Sequence, residues 1–74
     1  MQKVEILIQQ EKYREARRIL EDLLPQSPDD GFIYMALAEV YQNLKEYDKA
    51  LELINTAIGL EPESGDAYQR KANI

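Results

Sequence analysis

At 74 residues the chain has room for one small domain around one core, and a chain this short buries a smaller share of its surface than a long one does. With no Cys and no His it lacks the usual disulfide, zinc and thiolate chemistry and the side chain that most often does acid–base work near neutral pH. A net charge of -5, with Lys and Arg interleaved among Glu and Asp, excludes the basic stripe that nucleic acid requires, and the longest aliphatic run, Ile6-Leu7-Ile8, is far too short for membrane insertion.

From residue 1 to Gln10, Val4, Leu7 and Ile8 recur at helical spacing, so a helix is expected from the first residue. MQKVEILIQQ has no apolar stretch of signal-peptide length; without a targeting or spanning segment in this stretch, the default compartment is cytoplasmic. Glu11-Lys12 forms a turn, and a second helix is expected from about Lys12 to Leu24, with Tyr13, Ala16, Leu20, Leu23 and Leu24 on one face and Pro25 as its stop. The segment Pro25 to Gly31 reads as a connector, with Asp29 or Asp30 as the cap of the next helix.

A third helix spans about Gly31 to Asn43, with Tyr34, Leu37, Ala38 and Tyr41 on its apolar face. Ala38 lets a neighbouring backbone come close, where a Leu would push the pair apart. After the turn Leu44-Lys45-Glu46, a fourth helix from about Tyr47 to Gly59 turns Ala50, Leu53, Ile54, Ala57 and Ile58 inward, with Gly59 as its ending residue. Leu60 to Asp66 repeats the earlier connector, and a fifth helix starts near Asp66 and reaches Ile74. No segment is of low complexity, and no shift in composition divides the chain.

The elements repeat. A shift of 34 residues carries Tyr13 onto Tyr47, Ala16 onto Ala50, Leu20 onto Ile54, Leu24 onto Ile58 and Pro28 onto Pro62, and then Gly31 onto Gly65, Tyr34 onto Tyr68 and Ala38 onto Ala72. This pattern resembles the tetratricopeptide repeat family, whose unit is 34 residues of helix–turn–helix with alternating large and small packing positions and a closing proline. Tyr34 stands where the family usually has Trp, Leu37 and Ala38 match its Leu–Gly pair, and Tyr41, Tyr47, Ala50, Ala57 and Pro62 match the rest. Residues 1–30 then hold a partial first repeat, 31–64 a complete one and 65–74 a partial third or capping helix, in a single domain. In the third, Lys71 replaces the expected Leu; at the tight turns Glu11 and Lys45 stand in place of the family's Gly, at about 1 kcal/mol each if φ is positive there.

The resemblance implies an all-α fold: antiparallel helical hairpins stacked as a short right-handed α-solenoid of about five helices. Each hairpin's apolar flank would be covered by the first helix of the next. Tyr68 and Ala72 are thus expected to cover Leu53, Ile54 and Ala57, while Val4, Ile6 and Ile74 are expected to be exposed at cut ends, as in an excerpt of a longer array or a piece completed by another copy.

In this family the concave groove is lined by the first helix of each hairpin, and its ligands are extended peptides or helices of partner proteins. The resemblance places there Gln2, Glu5 and Gln9, then Phe32, Met35, Glu39, Gln42 and Asn43, then Gln69, Arg70 and Asn73. Phe32 and Met35 lie away from the Leu37–Ala38–Tyr41 face and suit an adaptable apolar contact; alternatively, Phe32 folds against the preceding loop and Met35 against the first helix. One branch of the family grips the free C-terminal carboxylate of heat-shock chaperones with Lys, Asn and Arg; the matching places here hold Met1, Glu5, Ala36, Asp66 and Arg70, of which Arg70 alone fits. Arg70 also reads as a solvated or ion-paired surface residue.

An enzyme reading finds little support. Glu11, Glu15 and Glu21 stand near Lys12, Arg14, Arg17 and Arg18, and Glu46, Asp48 and Glu52 near Lys45 and Lys49, at spacings of exposed helix pairs. Ser27, Thr56 and Ser64 have no His to activate them, the five tyrosines sit at expected packing or turn positions, and Asp29-Asp30 is too short for a calcium loop. No catalytic residue, metal or cofactor is expected. The reading is a non-catalytic module that binds a protein or peptide in its groove, with Phe32 and Met35 as apolar anchors and Glu5, Glu39, Asn43 and Arg70 setting polarity. A net acidic groove calls for a neutral to basic segment with an apolar side chain, bound less well at high salt. The alternative is a structural element, a homo-oligomer or array fragment that docks through its helix edges.

Overall fold

The computed structural model describes residues 2–63 and 65–73, with the backbone alone at residue 2. The expectations for Met1, Ser64, Ile74 and the Gln2 side chain lie outside the described residues. Five helices follow one another: α1 Gln2–Gln9, α2 Tyr13–Leu23, α3 Gly31–Asn43, α4 Tyr47–Leu60 and α5 Gly65–Asn73, with a single 3-10 turn, Leu24–Gln26, after α2. There is no strand among the described residues. Tight turns fold α1 back on α2 and α3 back on α4, and each helix packs against the next in the chain.

Local chemistry accounts for most boundaries. The Asp30 carboxylate accepts a hydrogen bond from the Phe32 N–H at 3.0 Å and caps α3, satisfying a donor that has no partner inside the helix. Both tight turns place a non-glycine residue in the left-handed region, Glu11 at φ 60° and Lys45 at φ 65°. They tolerate it because the turn returns hydrogen bonds: Lys12 N–H donates to Leu7 O at 2.8 Å and Glu46 N–H to Tyr41 O at 2.9 Å. α2 ends at Leu23, just ahead of Pro25 as expected; Pro25 sits at the start of the short 3-10 turn that follows, where its missing N–H leaves no hydrogen bond unmade. Gly59 does not end α4, which continues to Leu60 and closes with Glu61 N–H on Ala57 O at 2.9 Å, just ahead of Pro62.

The core has two parts, and α3 contributes to both. Towards the first hairpin, Ile33, Leu37 and Val40 of α3 pack with Val4 and Leu7 of α1 and Ala16 and Leu20 of α2. Towards the rest, Ala38 meets Ala50 and Ile54 of α4 and Ala67 of α5. This arrangement corrects two expectations. Val4 is not exposed but buried, because it lies on the side of α1 that α3 covers. Tyr68 and Ala72 do not cover α4; Ala67 does, fully buried, while Tyr68 is 49% exposed and Ala72 is exposed as well. The reason is rotational: one residue along a helix turns the face by about 100°, so docking through Ala67 swings Tyr68 outward. Ala67 falls 34 residues after Ile33, which is buried in the same way. Tyr47, expected at a packing or turn position, is 48% exposed. Ile6 is exposed as expected.

Candidate peptide-binding groove

A cleft of about 610 Å³ opens between α1, α3 and α5, with the end of α4 at one margin. Its floor is apolar: Val4 and Ile8 from α1, Phe32, Met35 and Ala36 from α3, and Ala57 from α4. Phe32, Met35 and Glu39 stand at successive helical spacings on α3, so one helix presents an aromatic ring, a thioether and a carboxylate along a line. Phe32 is half exposed because at about 100° per residue it stands on the side of α3 away from the two buried faces made by Ile33, Leu37 and Val40 and by Ala38. Met35 is half-buried and packs against the second cluster, so packing uses it in part, and on a different side from the expected first-helix contact.

The walls are charged. Glu5, Glu39, Glu61 and Asp66 line the cleft against one cation among the described residues, Arg70. Arg70 reaches from α5 to α3: its Nη2 lies 3.1 Å from Glu39 Oε1 and its Nη1 donates to Gln42 Oε1 at 3.1 Å. The ion-paired alternative for Arg70 is therefore the observed one, inside the groove rather than on an outer face. Glu61 lies over the start of α3, where Gly31 leaves it room; a Cβ on Gly31 would stand 2.9 Å from Glu61 Oε1.

Of the eleven residues expected in the groove, the Gln2 side chain lies outside the described residues, and the cleft brings together Glu5, Phe32, Met35, Glu39, Gln69, Arg70 and Asn73. Gln42 contributes through its bond to Arg70 without lining the cleft. Gln9 and Asn43 do not line it; the Asn43 Nδ2 donates to Glu39 O at 2.8 Å, one turn back along its own helix, so it does not set groove polarity. Reading by first helices alone missed Glu61, which arrives from the end of α4, and Val4, taken as an exposed end. Among the described residues no three His, Cys, Asp or Glu side chains are grouped to hold a metal ion, and no helix is long and apolar enough to cross a membrane.

A second polar cluster lies outside the cleft, centred on Tyr41. Its hydroxyl donates to Glu21 Oε1 at 2.6 Å, and Arg17 and Lys49 stand 6.0 and 5.6 Å from its ring centre. Glu46 joins the two cations, 3.8 Å from Arg17 and 3.6 Å from Lys49. Burial, and next the hydrogen bond to Glu21, push the Tyr41 phenol up from 10.0 to about 12. The group ties α2, α3 and α4 together: Arg17–Glu21 and Lys49–Glu46 are local pairs of the kind the spacing suggests, and Arg17–Glu46 joins α2 to the start of α4 across 29 positions of chain.

A tetratricopeptide repeat profile matches residues 5–74. The chain is similar to the cell division cycle protein 27 homolog A of Arabidopsis thaliana, at 34% identity over 70 residues. That alignment takes in 95% of this chain and 10% of the relative, so the chain spans about a tenth of the relative's length.

Proposed function

The chain belongs to the tetratricopeptide repeat family, a protein-interaction scaffold, and from that premise we propose that its α1–α3–α5 cleft holds a peptide or partner helix without catalysing a reaction. The observation that carries this reading is the pairing of an apolar floor with acidic walls in one cleft. Phe32 and Met35 offer an adaptable surface for an aliphatic or aromatic side chain. Glu5, Glu61 and Asp66 have no ion-pair partner among the described residues, so a basic or neutral segment is attracted where an acidic one is repelled. Residues 1–30, 31–64 and 65–74 act as one unit in this reading, since α3 supplies both parts of the core.

The test replaces both anchors, Phe32→Ser and Met35→Ser, and measures affinity for a peptide with one Leu and one Arg at low and at raised salt. Wild-type binding that weakens with salt, and is lost in the double variant while the helical circular-dichroism signal persists, supports the groove. Equal binding of an acidic peptide at all salt concentrations contradicts it.

A second reading, assembly through helix edges, rests on the exposed Ile6, Tyr47 and Tyr68, which sit outside the cleft. Sedimentation equilibrium over a concentration series separates the two: a monomer that stays folded on dilution favours the groove, and a concentration-dependent dimer favours the edges.

A further inference from the structure

We infer that Arg70 is an intramolecular stand-in for the partner's basic side chain: it occupies the Glu39–Gln42 acceptor pair in the cleft, and a ligand cation seats there by displacing it. The inference rests on the groove reading and concerns how that groove is regulated. Three observations carry it. First, Arg70 is the one cation lining the cleft among the described residues, and both its short contacts, to Glu39 Oε1 and Gln42 Oε1, are to groups on the facing helix rather than its own. Second, the Arg70 and Glu39 side chains are 30% and 33% exposed, so solvent reaches the pair and a ligand can too. An ion pair in that setting is weak enough to exchange.

Third, Arg70 has somewhere to go. Asp66 precedes it by four residues on α5, the spacing and order at which an acid and a base meet on one helix, and Asp66 has no ion-pair partner among the described residues. Displacement therefore moves the guanidinium from one carboxylate to another and strands neither charge. Met35 and Glu39 stand one turn apart on α3, so a ligand whose apolar group sits on Met35 brings a neighbouring Arg within reach of Glu39. The resting pair acts as a gate: segments without a cation leave it closed and gain nothing from Glu39.

The test uses two end-capped Gly–Ser peptides, one with Leu followed three residues later by Arg, and a twin with norleucine in place of Arg. Against Arg70→Gln the Arg peptide should bind about two- to fivefold more tightly than against wild type, the range a surface ion pair commands. The twin should be unchanged. In wild type the Arg70 Nε–Hε resonance should shift on adding the Arg peptide and not on adding the twin, a response that a purely structural clamp would not give. Unchanged or weaker binding of the Arg peptide to Arg70→Gln overturns the gate. Parallel weakening of both peptides, with a lower melting temperature, overturns it as well and makes Arg70 a clamp for α5. If neither peptide binds wild type or variant, the groove reading itself fails, a result distinct from binding that ignores Arg70.

Discussion

Leu20 and Ala38 set the energetic scale of single residues. Leu20 is fully buried between α1, α2 and α3, and its truncation to Ala should cost about 2–5 kcal/mol. A domain of this size is stable by roughly 4–11 kcal/mol, so chemical denaturation of Leu20→Ala should show a large part of the total gone. Ala38 is the opposite case. It is fully enclosed by α4 and α5, and Ala38→Leu should cost about 1–3 kcal/mol by overpacking. Lys45, with φ at 65°, holds a side chain in the left-handed region at a cost, and Lys45→Gly should raise stability by up to about 1 kcal/mol in the same assay. Tyr41 gives a pH signature. Its phenol holds its proton up to about 12 in the folded chain against 10.0 without the fold, so its contribution is full below pH 10 and is lost as pH climbs towards 12. An NMR titration of the Tyr41 ring should show the high midpoint, and Glu21→Gln should bring it down; a midpoint indifferent to Glu21 would remove the hydrogen bond as a cause.

Among the five α-helices, α5 buries the fewest of the described residues. Ala67 is its one buried residue among those described. Ala67→Leu should lift α5 off α4, and hydrogen exchange should then show fast amides in α5 with α2 and α3 still protected. Helix boundaries were legible because their causes are local: Asp30 two residues before the N–H it caps, Pro62 just beyond α4, a tight turn between each helix pair. Which side of α3 meets which neighbour was not. The run from Gly31 to Tyr41 is apolar nearly throughout because α3 is covered on two flanks, and a helix buried from two sides has no single stripe for periodicity to find. Ile33 and Val40 were missed for that reason, and the choice of Tyr68 over Ala67 repeats the same slip by one residue. The groove was legible only through the family likeness. Arg70 meets Glu39 across 31 positions of chain, a distance at which spacing carries no signal, and Glu61 comes from the end of α4 to rest on Gly31.

At the scale of the whole molecule, α3 is the shared wall of both hairpins and of the cleft, so in the proposed groove reading packing and binding are coupled through one helix. The Tyr41 cluster fastens α3 to α2 and α4, while the exchangeable Arg70 contacts to Glu39 and Gln42 cross the cleft from α5 to α3. A ligand that spans α1, α3 and α5 should stabilise all three at once, raising the melting temperature with the logarithm of its concentration relative to its Kd. The most direct check of the groove is a 15N-resolved NMR titration of the chain with the Leu–Arg peptide. The largest shifts should gather at Glu5, Phe32, Met35, Glu39 and Asp66, around the cleft. Shifts confined to Ile6, Tyr47 and Tyr68 would count against the groove and move the functional surface to the helix edges.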